Sequence, residues 1–64
     1  MLWLSELLIQ EHTFTSFDEL KTQVQLRGAQ GEMFFRMDVK PSFPDTPANW
    51  EDQLEAAFTS GQHR

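Results

Sequence analysis

The chain offers few side chains whose type and spacing could support catalysis. No serine stands in a Gly-x-Ser-x-Gly sequence, the sharp turn that exposes the nucleophile of many hydrolases. His12 directly follows Glu11, and because neighbouring residues on a strand point to opposite sides, the two predict no acid–base pair there. Ser16 is better explained as a helix cap than as a nucleophile. We therefore predict a protein that is not an enzyme.

Metal and cofactor sites are not expected either. Cysteine is absent, which removes thiolate ligands, and the two histidines, His12 and His63, stand far apart. The glycines, Gly28, Gly31 and Gly61, stand in predicted turns, whereas a phosphate-binding loop needs a glycine-rich run. We predict neither a metal ion nor a cofactor.

An acidic row near residue 50 is the first candidate binding surface. Glu51 and Glu55 stand four apart, so a helix places them on one face, with Asp52 nearby. No Lys or Arg follows four residues later to neutralise the row. Together with Trp50, these acids are predicted to bind a basic surface on a larger protein. A solvated helix face is the alternative, because the helix dipole stabilises acids near an N-terminus.

Aromatic residues form the second candidate surface. Six Phe and two Trp are many for a chain of 64 residues, because a core this small has limited room for them. An aromatic side chain left on the surface would indicate an interface, since Phe and Trp are enriched where proteins bind each other. We predict that Phe34 and Phe43 contact a partner. Self-association and association with another protein both remain open.

Length and charge limit the function classes. Sixty-four residues make one domain, residues 1–64, whose stability is marginal unless a partner adds to the core. The net charge of −5 disfavours direct binding to nucleic acid, because phosphate contacts need Lys and Arg. The apolar run 2–9 is too short to cross a bilayer and lacks the flanking signals of a secretory peptide. We expect a cytoplasmic protein.

Segment 31–40 has the most regular pattern and organises the predicted fold. Its alternating residues are typical of a strand with one buried face, and Pro41 should end that strand. The predicted buried face comprises Met33, Phe35, Met37 and Val39. The opposite face comprises Phe34, Arg36, Asp38 and Lys40.

One helix is predicted before this strand. Ser16-Phe-Asp-Glu19 has the form of a capping box, in which Ser16 and Glu19 bond each other's amides. The helix should cover residues 17–27 and end at Gly28.

A second helix is predicted after the strand and an extended, proline-rich connector over 41–47. It begins after Thr46 or Asn49 and ends at Gly61, with residues 62–64 as a loose end. Its buried stripe comprises Trp50, Leu54, Ala57 and Phe58.

The first segment is ambiguous, because residues 2–14 fit an amphipathic helix and residues 6–14 fit a strand equally well. The fold class is therefore α+β, in the order β-α-β-α or α-α-β-α. Two strands make a poor sheet, so we expect a homodimer to complete it. The predicted function is that of a small acidic regulator, adaptor or inhibitor. The alternatives are a DNA mimic that inhibits a nucleic-acid-binding protein, and a structural subunit of a larger assembly.

Overall fold

The computed structural model describes residues 1–10 and 14–62 of the chain. The elements follow in the order β1 (Leu2–Trp3), α1 (Leu4–Gln10), α2 (Phe17–Ala29), β2 (Phe35–Arg36) and α3 (Trp50–Gln62). The two strands form a parallel sheet, with Leu2 opposite Phe35 and Trp3 opposite Arg36. The mixed α+β class is therefore confirmed. The predictions on Glu11, His12, His63 and Arg64 concern residues outside those described.

The strand predicted over residues 6–14 is wrong for residues 6–10, which belong to α1. This helix buries Leu4 and Leu7, which stand three apart and therefore share one helical face. The first strand, β1, precedes that helix and is two residues long. The predicted α-α-β-α order contained α1 but not β1, and the predicted β-α-β-α order placed its first strand where α1 lies.

The central strand is much shorter than predicted. Regular pairing covers only Phe35 and Arg36, because β1 offers two residues as partners. Phe35 and Met37 pack against the core as predicted. Met33 and Val39 do not belong to the buried face, since 72% and 40% of their surfaces are exposed. Beyond the paired residues, no strand among residues 1–10 and 14–62 lies beside this segment to hold the alternation in place.

The core joins α1, α2 and α3 beneath the small sheet. All of its fully buried side chains are apolar, as expected for the main favourable contribution to folding. The buried set comprises Leu2, Leu4, Leu7, Phe17, Leu20, Val24, Leu54, Ala57 and Phe58. The predicted stripe on α3 is thus confirmed, with Trp50 half-buried at its edge.

The predicted start of α2 is confirmed in position and differs in one bond. Ser16 Oγ accepts a hydrogen bond from the Glu19 amide at 3.2 Å, which is half of the capping box. Glu19 Oε1 accepts from the amide and hydroxyl of Thr15, at 3.2 and 2.6 Å, instead of from the Ser16 amide. The second half of the box has therefore shifted by one residue.

Two aspartates from distant parts of the chain hold helix starts. Asp45 accepts a hydrogen bond from the Phe17 amide at 2.7 Å, at the beginning of α2. Asp38 accepts from the Ser5 amide at 3.1 Å and the Ser5 hydroxyl at 2.6 Å, at the beginning of α1. These bonds favour the ionised carboxylates, so the Phe17 amide lowers the pKa of Asp45 and the Ser5 hydroxyl lowers that of Asp38.

These two carboxylates make the stability of the fold depend on pH. A folded-state pKa below the ordinary aspartate value of 3.8 means that stability is fully present above that pH and is lost as pH falls through the folded pKa. We expect the melting temperature to fall progressively as the pH is lowered from about 5 towards 3. In Asp45→Asn this fall should be shallower, because the charged acceptor is gone. If the melting temperature fell equally with pH in both proteins, that result would contradict the capping role of Asp45.

Gly28 and Gly61 do not end their helices, which corrects both predicted termini. α2 continues to Ala29, and α3 continues through Gly61 to Gln62. Both glycines are buried where α2 and α3 meet. A Cβ on Gly28 would lie 2.5 Å from the backbone oxygen of Phe58, and one on Gly61 would overlap the backbone oxygen of Gln25. The glycines therefore permit a close approach of the two helices.

Candidate functional site

A surface groove lies between segment 33–37 and α3. Its volume is about 290 Å³, which is at the lower end of the range for small-molecule pockets. The strand side contributes Met33, Phe34, Phe35 and Met37. The helix side contributes Glu55, Phe58, Thr59 and Gln62. We call this feature the Met/Phe groove.

Two contacts fix the walls of the Met/Phe groove. The rings of Phe35 and Phe58 pack with centroids 5.3 Å apart, which joins β2 to α3. Gln62 Nε2 donates to the backbone oxygens of Glu32 and Met33, at 2.9 and 3.3 Å. Gln62 was predicted to lie in a loose end, and it instead ties the last turn of α3 to the chain before β2.

The groove exposes two large apolar side chains. Met33 is 72% exposed and Phe34 is 62% exposed. Phe34 was predicted as a partner-binding residue, and it lies on the surface as that prediction requires. Met33 was missed, because its place in the alternating pattern indicated burial. Its thioether adapts to varied partner shapes, which makes methionine common at binding surfaces.

The acidic row borders the same groove. Glu55 lines it, and Glu51 stands one helical turn earlier on the same face. Glu51, Asp52 and Glu55 are all exposed. Within the part of the chain that the structure describes, no Lys or Arg lies within 4.0 Å of their carboxylates. The structure thus brings Phe34 and Glu55 together in one uncompensated acidic and apolar surface.

Trp50 and Phe43 lie outside the groove. Both are half-buried and pack against the core, so much of their surface is already used for folding. The Phe43 amide also donates to Thr46 Oγ1 at 3.1 Å, within the turn that follows the prolines. Of the six predicted binding residues, Phe34 and Glu55 line the groove, and the other four do not. Those four are Phe43, Trp50, Glu51 and Asp52.

A second depression lies between α2 and α3, away from the sheet. It has a volume of about 300 Å³ and contains no aromatic side chain. Its lining comprises Lys21, Gln25, Gln53, Ala56, Ala57 and Ser60. With small or polar walls, it offers a partner no large apolar anchor.

The described residues contain no cluster of metal ligands and no membrane-spanning helix. Over 1–10 and 14–62, no three side chains of His, Asp or Glu come together in a way that could hold a metal ion. The helices in those ranges are also too short or too polar to cross a bilayer.

The groove, with its exposed Met33 and Phe34 and its acidic border, is therefore the candidate functional site of the described residues. Comparison of the chain with protein-family models, with curated proteins and with solved structures found no match.

Proposed function

We propose that this chain is a non-catalytic, protein-binding regulator, adaptor or inhibitor that acts in the cytoplasm and occupies a basic site on a larger protein. One observation carries the proposal: Met33 and Phe34, both largely exposed, line the same groove as the acidic residue Glu55. An apolar anchor bordered by charge is the usual composition of a binding surface.

The two parts of this surface have different effects on binding. Covering Met33 and Phe34 removes apolar surface from water, at about 25 cal/mol per Å², and so supplies affinity. The acids Glu51, Asp52 and Glu55 attract a basic partner from a distance and speed its association. Salt screens the second effect much more than the first. Binding is therefore expected to be fast and sensitive to salt.

The alternative as a DNA mimic has less support. Of the ten acidic residues, Glu19, Asp38 and Asp45 already bond donors at helix starts. Fewer carboxylates are then free to imitate a duplex, which carries one charge per about 1.7 Å of its axis. A structural subunit would need its partner in order to fold, and it would be insoluble or partly unfolded when made alone.

Charge reversal tests the proposal. We expect Glu51→Lys combined with Glu55→Lys to weaken capture of the partner from native lysate by at least about tenfold at low salt. Both side chains are exposed, so the fold should be retained. The measurement is quantitative affinity capture of the tagged chain at 50 and 500 mM NaCl.

A matched control reverses acids that lie elsewhere. Glu6→Lys combined with Asp18→Lys changes the net charge equally and alters the first turns of α1 and α2. This control should capture nearly as much partner as the unaltered chain does. The small loss expected comes from its less negative net charge, which attracts a basic partner less strongly. Equal losses in the two double variants would show that net charge alone matters, and that result would contradict binding at the groove.

A further inference from the structure

β2 has one edge without a neighbouring strand among the described residues. The sheet contains two strands, and β1 occupies one side of β2. Leu2 N donates to Phe34 O at 2.7 Å, so the polar backbone groups of Phe34 point towards β1. Because successive residues of a strand direct these groups to opposite sides, the N–H and C=O of Phe35 point to the free edge.

The Met/Phe groove is lined by Phe35, by residues before and after it in the chain, and by α3. Neither Leu2 nor Trp3 of β1 contributes to its walls, which come from segment 33–37 and from α3. An extended chain placed in the groove would therefore run beside β2 with α3 along its other flank. Its backbone could bond Phe35, and its alternate side chains could contact Met33 and Phe34.

Charge complementarity selects the occupant. The helix that flanks the groove carries Glu51, Asp52 and Glu55, and no basic residue stands in its last turn as far as Gln62. We propose that the partner presents an extended segment of alternating apolar and Lys or Arg residues, which adds to β2 as a third strand. This inference rests on the proposed function, since it specifies how the same surface binds.

Strand addition is a known mode of peptide recognition. Main-chain hydrogen bonds to the open edge supply affinity, and pockets for alternate side chains supply specificity. Here the pocket is the apolar groove, and the basic side chains reach the acidic row on α3.

The test uses the full chain and a synthetic peptide, acetyl-Lys-Val-Lys-Phe-Lys-Val-Lys-amide. Nuclear magnetic resonance titration should shift the amide signals of residues 34–36 and of 55–62. A shuffled peptide of the same composition, without the alternation, should bind at least about tenfold more weakly. Equal binding of both peptides would mean that charge alone attracts them and would overturn strand addition.

Methylation of the peptide backbone tests the main-chain bonds without changing the protein. In an added strand, amides of one parity face β2 and those of the other face away from it. Methylating the amides that face β2 should weaken binding about tenfold, because it removes main-chain bonds to Phe35 and places methyl groups between the strands. Methylating the other amides should have little effect, because they make no bond to β2. Equal effects of both series would overturn the inference.

Two outcomes separate this inference from the proposed function. If Glu51→Lys with Glu55→Lys abolishes partner capture while methylation acts equally at both parities, protein binding stands and strand addition is wrong. If sedimentation shows that the free chain is already a dimer, with the Phe35 amide protected from hydrogen exchange, a second copy occupies the edge. That result would overturn the choice of a basic partner segment.

Discussion

Replacing Gly61 by alanine should destabilise the fold by about 1–3 kcal/mol, although alanine is the better helix former. Helix propensity alone predicts the opposite effect, since alanine in place of glycine stabilises a helix interior by about 1 kcal/mol. The packing of α3 against α2 decides the outcome, because a Cβ at position 61 would overlap the backbone oxygen of Gln25. A flexible side chain could change its rotamer to avoid this overlap, but backbone atoms cannot. The helices α2 and α3 must therefore move apart.

The loss is large for a domain of 64 residues, whose total stability is expected to be about 3–10 kcal/mol. Urea denaturation followed by circular dichroism measures it directly. Thr59→Ala is the control, since Thr59 is exposed on the same helix and alanine should stabilise there. A Gly61→Ala protein as stable as the unaltered chain would mean that α2 and α3 do not approach as closely as described. Gly28→Ala should act in the same direction, through the backbone oxygen of Phe58.

The second large effect concerns binding. Met33→Ser combined with Phe34→Ser should weaken binding of the alternating peptide by at least about 2 kcal/mol, roughly thirtyfold in Kd, as expected for hot-spot residues. Both side chains are mainly exposed, so their loss should leave folding within about 0.5 kcal/mol per site. Titration calorimetry measures the affinity, and thermal melting checks the fold.

Leu26→Ser provides the matched control for this variant. Leu26 is also an exposed large apolar residue, but it lies on α2 and does not line the Met/Phe groove. The control should bind the peptide as the unaltered chain does. If Leu26→Ser weakened binding as much as the double variant, surface apolarity in general would be responsible, and the groove would have no special role.

The sequence predicted those elements that local signals determine. The cap at Ser16 marked the start of α2, and the spacing of Leu54, Ala57 and Phe58 identified the buried face of α3. Each signal depends on residues within about two helical turns of one another. Such patterns form the same structure largely independently of the rest of the chain.

Contacts between distant residues could not be predicted in this way. Asp45 caps α2 from 28 positions away, and Asp38 caps α1 from 33 positions away, so neither appears as a local motif. Gly28 and Gly61 were misassigned for a related reason, because a glycine can either end a helix or allow two helices to approach closely. A glycine after an apolar stripe fits a helix end, yet here each glycine makes room for a neighbouring helix.

The candidate site was predictable in part. Glu55 was identified from its spacing to Glu51, and Phe34 from the shortage of room in the core. Met33 was assigned to the buried face because its alternation with Phe35 suggested a longer strand. Only the structure shows that regular pairing covers two residues, which leaves Met33 exposed beside the acids.

The central claim is that the Met/Phe groove receives a basic, extended segment of another protein. Its most direct test places a photo-crosslinking benzoylphenylalanine at position 59, an exposed groove residue, or at position 60, an exposed residue that points away from the groove and lines the depression between α2 and α3. After irradiation in native lysate, mass spectrometry identifies the attached peptides. We predict cross-links from position 59, and none from position 60, to a segment of alternating apolar and Lys or Arg residues. Cross-links to another copy of this chain, or equal cross-linking from both positions, would contradict the claim.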